Sequence, residues 1–199
     1  MERLHALLDR YISAEPEKRS VIEAEIWGTF GVQRAVMALD MSGFSLNVRR
    51  TGIVSYLGQI RRMVRIARPL VEEHGGCLVK AEADNLMALF TTPLDAVAAA
   101  RAINAGLAAE RVENPGPLPL SASIGIDFGK ILHIPGRDCF GDAVNIAYKL
   151  GEDIAGADEI LVTNAVLERL PAEEQERLEV GDFSVSGLAL TLWRVPTEG

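Results

Sequence analysis

The amino-acid sequence predicts a mixed α+β fold, in which helices pack on one mainly antiparallel sheet. Strand-like and helix-like segments alternate along the 199 residues. Several strand pairs, however, are joined by connections too short to hold a helix, which a doubly wound parallel sheet would require between successive strands. The length and a hydrophobic content of 48% suit a domain with a substantial core.

Each predicted element rests on hydrophobic periodicity and on turn residues. The predicted helices cover residues 1 to about 30 in two pieces, 53–71, 93 to about 110, 141–154 and 164–170. The predicted strands cover residues 32–39, the two arms of a hairpin over 76–90, 118–128, 129–134, 159–162, 178–183 and 189–195.

Three local sequence signals predict two turns and one helix irregularity. Asp84-Asn85 predicts the hairpin turn, because both residue types tolerate positive φ. Phe128-Gly129 predicts a turn between two neighbouring strands. Pro69 lies inside the periodic pattern of a long helix and predicts a kink or a break near the end of that helix.

Residues 1–30 are predicted to form a helical arm ahead of the main domain, residues 31–199. Each of the two helices carries an apolar stripe, the first around Leu7 and the second around Ile26. Such stripes can pack on their own domain, on a second copy or on an upstream partner. Packing on the same domain or on a dimer mate is the favoured interpretation.

The formal charge of −8 argues against binding to nucleic acid or to an anionic membrane. The run of arginines at 61–68 is therefore interpreted as a solvated helix face. Cys77 and Cys139 have no metal-binding spacing, and the polar N-terminus resembles no signal peptide. These features favour a cytoplasmic location with reduced thiols and without a membrane span.

Two aspartates are the first candidates for chemistry. Asp40 ends a predicted strand and opens a loop that contains Gly43, while Asp84 lies at the hairpin tip. Carboxylates from adjacent strands can bind Mg²⁺, which usually takes one or two of them and completes its shell with phosphates and water. Each aspartate alone is more often a cap or turn residue. The charges of Lys80 and Glu82 belong either to a site or to the exposed face of the hairpin.

Four segments in order carry a resemblance to a known family. They are AVMALDMSGFS, EEHGGCLVKAEADNLMALF, SASIGIDFGKI and CFGDAVNIAYKLGEDIAGADEILVT. Together, over about residues 32–195, they resemble the catalytic domain of class III nucleotide cyclases, which form 3′,5′-cyclic monophosphates from nucleoside triphosphates. The resemblance implies a ferredoxin-like α+β sheet and active sites shared between two domains in a head-to-tail pair.

The resemblance also assigns roles by position. It implies that Asp40 and Asp84 are metal ligands and that the backbone of Met41, Ser42, Gly43 and Phe44 binds phosphate. It also implies that Lys80 and Asp138 read the base, that Asn145 positions the ribose, and that Lys149 places a cation on the reacting phosphate. The metals would be Mg²⁺ or Mn²⁺, two per site. The implied activity is that of an adenylate cyclase, acting on ATP in a homodimer, because lysine and aspartate match the donors and acceptors of adenine; guanylate cyclases usually carry glutamate and cysteine there.

Three departures keep an alternative open. Lys149 stands where the family usually has arginine, and Ala83 stands where it usually has glycine. Serines 184 and 186 occupy the segment where many relatives carry a triphosphate-binding lysine. The alternative is a catalytically weak or inactive cyclase-like domain that binds nucleotide or a protein partner for signalling.

Overall fold

A computed structural model describes residues 1–42, 52–115, 119–185 and 188–196. Its helices are α1 (Glu2–Ser13), α2 (Pro16–Phe30), α3 (Ile53–Glu73), α4 (Pro93–Glu113), α5 (Asp142–Lys149), α6 (Asn164–Leu167) and α7 (Ala172–Gln175), and a π-helical turn, Leu150–Ile154, follows α5. The strands are β1 (Gly31–Met41), β2 (Cys77–Glu82), β3 (Asn85–Phe90), β4 (Ala122–Ile134), β5 (Asp138–Phe140), β6 (Ile160–Thr163), β7 (Glu179–Val185) and β8 (Leu188–Val195).

The described strands form one mixed sheet in the order β2-β3-β1-β4-β6-β8-β7, and β5 pairs with β4. The pairing of β4 with β6 is parallel, while the other neighbours are antiparallel. The predicted α+β class with a mainly antiparallel sheet is therefore confirmed. The central strand β1 is buried from Ala35 to Leu39, as expected for an apolar strand covered on both faces.

The alternation of side chains along β1 builds two cores. Met37 and Leu39 point to the face covered by α3 and α4, in the largest hydrophobic cluster. Val36 and Ala38 point to the opposite face, where α5 covers them with Ala143 and Ala147. Both faces of the central sheet are therefore closed by helices, and the strand ends are left to carry the polar residues.

Close packing of α5 depends on glycine in the sheet. A Cβ at Gly125 of β4 would lie 2.3 Å from the carbonyl oxygen of Ala147. A Cβ at Gly129 would lie 3.1 Å from the Cβ atom of Ala143. Gly129 therefore serves the approach of the helix, and β4 continues through it. The predicted turn at Phe128-Gly129 is wrong for this reason.

Two further details differ from expectation. The hairpin turn falls at Ala83-Asp84 and not at Asp84-Asn85, because Asn85 already pairs with Asp40 of β1. Helix α3 continues through Pro69 to Glu73. Proline has no N–H group, so one backbone carbonyl in the preceding turn has no amide donor. Pro69 is exposed, so water can donate a hydrogen bond to that carbonyl group instead.

The two N-terminal helices pack on the same chain. Leu4, Leu7, Ile22 and Ile26 are buried in one cluster with Ile134 of β4. The ammonium group of Lys130 lies 4.4 Å from the ring centre of Trp27, a cation–π contact that also joins α2 to β4. Within the part of the chain that the structure describes, no helix is long and apolar enough to cross a membrane.

Candidate active site

The structure brings Asp40 and Asp84 together at one end of β1. Asp40 is the tenth residue of β1, and the adjacent amide of Met41 donates a hydrogen bond to the carbonyl oxygen of Asp84, with an N–O distance of 3.2 Å. The β2–β3 turn is thereby tied to the end of the central strand. This contact places the two carboxylates predicted as metal ligands side by side.

The turn that carries Asp84 has an unfavourable backbone conformation. Ala83 has a φ of 50°, in the left-handed region, which costs a residue with a Cβ about 1 kcal/mol relative to glycine. The glycine that the resemblance implies at this position would avoid that cost. The alanine is accommodated because the strand pairing on both sides, from Glu82 with Asn85 outward, fixes the turn.

Negative charge is concentrated around this pair. Burial, followed by the charges of Asp84 and Glu152, raises the pKa of Asp40 from 3.8 to about 7. In the described parts of the chain, the ion pairs made by lysine and arginine involve neither Asp40 nor Asp84. A cation bound here would therefore relieve the repulsion between carboxylates that make no ion pair with a described lysine or arginine.

This donor set fits a hard divalent cation. Within residues 1–42, 52–115, 119–185 and 188–196, no group of three or more histidine, cysteine, aspartate or glutamate side chains forms a metal cluster. Among these described residues, Asp40 and Asp84 are the two predicted carboxylate ligands, and the charge of Asp84 acts on the pKa of Asp40. That number suits Mg²⁺ or Mn²⁺ sharing the rest of the shell with substrate phosphates and water.

Two residues that sequence reasoning missed also contact this region. Tyr56 of α3 is fully buried, and its hydroxyl group donates to Asp84 Oδ2 at 2.9 Å. Glu152, on the π-helical turn, accepts a hydrogen bond from the side chain of Asn85. Burial, then Asp153 and Asp84, raises the pKa of Glu152. A buried tyrosine needs a partner for its hydroxyl group, which was the one available signal for Tyr56.

The predicted phosphate-binding segment is only partly described. The amide of Met41 donates to Asp84, as noted above, and the amide of Ser42 donates to the carbonyl oxygen of Ser121 at 3.0 Å. Both N–H groups are thus engaged within the chain. Gly43 and Phe44 lie outside the described residues.

A second site-like region is a cavity of about 400 Å³ beneath α5 and β5. Its lining includes three predicted residues, Lys80, Asp138 and Asn145, together with Tyr148. Lys80 Nζ lies 2.6 Å from Asp138 Oδ2, and Asp138 Oδ1 accepts from the amide of Cys139 at 2.8 Å. The hydrogen bond to Asp138 is the main cause that raises the pKa of Lys80.

The hairpin itself places the two regions apart. Lys80 lies on β2 and lines the cavity, whereas Asp84 lies in the turn, and neither Asp40 nor Asp84 is among the residues that line this cavity. Lys149 also lies outside the lining, at the end of α5, where its Nζ is 3.3 Å from Asp153 Oδ2. The predicted site residues thus form an acidic pair and a charge-matched cavity.

A larger cavity, of about 740 Å³, lies between α3 and α4. It is lined by Gln59, Arg62, Glu110 and Arg111 among others, and contains none of the residues predicted to act in the site. Three of its charged groups are engaged in ion pairs, Arg62 with Glu110 at 3.7 Å and Arg111 with Asp158 at 2.8 Å. The smaller cavity has the better chemical match to a nucleotide base.

Comparison with known proteins agrees with this geometry. No family model matches the chain. The curated relative "Putative adenylate cyclase 3" of Rhizobium meliloti (strain 1021) is 26% identical over 134 residues, which cover 67% of this chain and 22% of the relative. The chain therefore spans about a fifth of the length of that protein.

Solved structures give the fold directly. The adenylate/guanylate cyclase/hydrolase from Silicibacter pomeroyi is 28% identical, with a TM-score of 0.72, over 83% of this chain and 98% of that one. The adenylyl cyclase CyaB from P. aeruginosa is 19% identical, with a TM-score of 0.66, over 85% of this chain and 97% of that one.

The resemblance drawn from the sequence is confirmed. The chain has the fold of the catalytic domain of class III nucleotide cyclases, with the mixed, mainly antiparallel sheet and packed helices of that group.

Proposed function

We propose that this domain is an adenylate cyclase, which forms 3′,5′-cyclic AMP and pyrophosphate from ATP at sites shared in a homodimer. The observation that carries the proposal is that the β2–β3 hairpin contributes one residue to each of two complementary pairs. Asp84, with Asp40, supplies negative charge for cations, while Lys80, with Asp138, supplies a donor and an acceptor for a base.

The reaction joins two atoms of one substrate. The ribose 3′-oxygen attacks the α-phosphorus, its proton leaves, and the bond from that phosphorus to the pyrophosphate oxygen breaks. Two divalent cations, Mg²⁺ or Mn²⁺, would favour the deprotonated 3′-oxygen and neutralise charge on the triphosphate. Asp40 and Asp84 would hold them, and the backbone hydrogen bond from Met41 to Asp84, which joins the segments that carry both residues, supports this role.

The cavity residues would orient the nucleotide. Lys80 can donate to a ring nitrogen of adenine, and Asp138 can accept from the exocyclic amine. Asn145 would hold the ribose, and the ammonium group of Lys149 would face the charge that develops on the reacting phosphate. Lys149 lacks the two-pronged donor set of an arginine, and Asp153 already engages it.

The separation also supports the dimer. The acidic pair lies outside the lining of the cavity that holds the base-reading pair, and a site shared in a homodimer would combine the acidic pair of one copy with the cavity of another. Each homodimer would then hold two equivalent sites. Relatives arranged in this way meet head to tail, as the resemblance implies.

A second candidate function is a cyclase-like domain that binds nucleotide without efficient turnover. The observation that favours it is Lys149, which keeps the charge of the usual arginine but not its bidentate geometry. Guanylate cyclase activity is a lesser alternative, because both members of the predicted adenine-reading pair are present and in contact.

One assay separates these functions. The purified protein is incubated with Mn²⁺ and either ATP or GTP, cyclic products are quantified by chromatography, and the solution mass is measured. We expect cyclic AMP from ATP and a dimer. Intact dimer with measurable nucleotide binding but no cyclic product from either substrate would overturn the enzyme proposal.

The metal assignment is tested by Asp40→Ala in the same assay. Removing one of two cation ligands should lower kcat on the order of a hundredfold or more, because electrostatic stabilisation of the transition state is lost. The matched control is Asp9→Ala, on the exposed side of α1. Full turnover by Asp40→Ala would exclude Asp40 as a metal ligand.

A further inference from the structure

We propose that Tyr56 is a positioning residue of the cation site, which acts by fixing the carboxylate of Asp84. This inference rests on the proposed function, since it assumes that Asp84 binds a divalent cation. It adds a residue to the site that the resemblance does not supply. Tyr56 belongs to α3, a different element from the strands and turn that carry the two aspartates.

The contact is specific in its geometry. The hydroxyl group of Tyr56 donates to Asp84 Oδ2 at 2.9 Å, an ordinary distance for a hydrogen bond between two oxygen atoms. The donor and the acceptor are 28 positions apart in the chain. The bond therefore ties the first turns of α3 to the tip of the β2–β3 hairpin.

The two partners differ in how firmly they are held. Tyr56 has no exposed surface and packs in the main core with Met41 and Met63, so its ring has a fixed position. Asp84 is only partly buried, on a two-residue turn. A carboxylate in that position would sample several rotamers, and a hydrogen bond from a rigid neighbour selects one of them. The fixed residue thus orients the less constrained one.

The orientation matters for cation binding because the two carboxylate oxygens are no longer equivalent. With Oδ2 accepting from Tyr56, one lone pair of that oxygen is used within the protein, so a cation held jointly with Asp40 would meet the two oxygens of Asp84 on different terms. Outer groups that hydrogen-bond to a metal ligand usually change metal affinity by about 10- to 100-fold when they are removed. The hydroxyl group of Tyr56 is placed to have an effect of that kind.

A purely structural role is the competing explanation. A buried phenol needs an acceptor, and Asp84 would provide one whether or not it binds a cation. That explanation predicts a loss of thermal stability in Tyr56→Phe and no change in cation affinity once the variant is folded. Cation affinity, measured without nucleotide or turnover, therefore separates the two.

The experiment measures Mn²⁺ binding to the full chain by the electron paramagnetic resonance signal of unbound Mn²⁺. Five proteins are compared, namely the wild type, Tyr56→Phe, Asp84→Asn, the double variant, and Tyr11→Phe as the matched control on α1. We expect Tyr56→Phe to bind Mn²⁺ about tenfold or more weakly, and Tyr11→Phe to bind like the wild type.

The double variant supplies the second test. If Tyr56 acts through Asp84, replacing Tyr56 should cause no further loss once Asp84 is asparagine. Unchanged or tighter binding by folded Tyr56→Phe overturns this inference while the site itself stands, provided that Asp84→Asn weakens binding. A wild-type protein that binds no Mn²⁺ overturns the cation site of the proposed function, and this inference with it.

Discussion

The acidic pair and the cavity differ in how their charges are balanced. Asp40 and Asp84 lie together with Glu152 nearby, and the pKa of Asp40 rises to about 7 under burial and their repulsion. In the cavity, Lys80 and Asp138 form a contact of 2.6 Å between opposite charges. Among the described residues, the acidic pair therefore has no basic partner in an ion pair, while Lys80 and Asp138 neutralise each other.

Because of this difference, the two regions can recognise different kinds of ligand. A region with unbalanced negative charge attracts any cation of suitable size, so its selectivity comes from ligand number and geometry. A neutral pair presents a donor and an acceptor in fixed positions, which can discriminate one base from another. The acidic pair is therefore suited to cation binding and chemistry, and the cavity to substrate choice.

The largest expected effect outside the acidic pair comes from Lys80→Met. The change removes a donor to the base and leaves the Asp138 charge unpaired, and hydrogen bonds to charged groups are worth about 1.5–3 kcal/mol. We expect the KM for ATP to rise about tenfold or more, with Mn²⁺ affinity unchanged. Steady-state kinetics and Mn²⁺ titration check both.

The matched control for that change is Lys18→Met, on an exposed face of α2. It should leave both quantities as in the wild type. A Lys80→Met variant that loses Mn²⁺ affinity as strongly as substrate affinity would show that the two regions are not independent.

A smaller effect is expected from Lys149→Arg. The guanidinium group can donate two parallel hydrogen bonds to a phosphate, whereas the ammonium group acts as a single charge. We expect kcat to rise by up to about tenfold and the KM for ATP to change little. A fall in kcat with intact folding would mean that Lys149 is the better residue in this site, and that its pairing with Asp153 is part of the arrangement.

The smallest kinetic effect is expected from Asp127→Asn, because this carboxylate belongs to neither region. Asp127 is buried on β4, accepts a hydrogen bond from the Thr163 hydroxyl group at 2.5 Å, and has its pKa raised chiefly by burial. The folded state therefore binds a proton more tightly than the unfolded state, so this group lowers stability as pH rises above 3.8.

Asparagine removes that cost and can still accept from Thr163. The melting temperature of Asp127→Asn should exceed that of the wild type at pH 8, and the difference should shrink as pH falls toward 4. Thermal melts across this pH range, with Asp9→Asn on α1 as control, measure it. A difference that grows as pH falls would contradict the assignment of burial as the cause.

Sequence patterns predicted the fold well where periodicity was strong. The burial of β1 follows from its continuous apolar run, and the packing of α3 through Val64 and Val71 follows from helical spacing. The turn assigned to Phe128-Gly129 was wrong because glycine is ambiguous in sequence. A glycine can mark a turn or a close contact with a helix. At Gly129, the position of Ala143 shows that the glycine serves the helix contact.

Contacts between distant residues account for most of what could not be predicted. The partnership of Tyr56 with Asp84 depends on how α3 lies against the hairpin, and the approach of Glu152 depends on the π-helical turn after α5. Neither follows from spacing along the chain. The positive φ falls at Ala83 and not within the predicted Asp84-Asn85 turn, because the exact position of a two-residue turn depends on the register of the two strands.

The pairing of β1 with β4 has a consequence for how the chain folds. Gly31 lies opposite Leu132 and Met41 opposite Ala122, so the central ladder joins segments distant in sequence. Contacts of this kind form slowly, because the long loop between the two strands must close first. On the ribosome, β1 can pair with β3 early but waits for β4 until most of the domain has been synthesised. Asp40 therefore takes its final position late, and until then one edge of this apolar strand lacks its partner, which favours aggregation of the nascent chain.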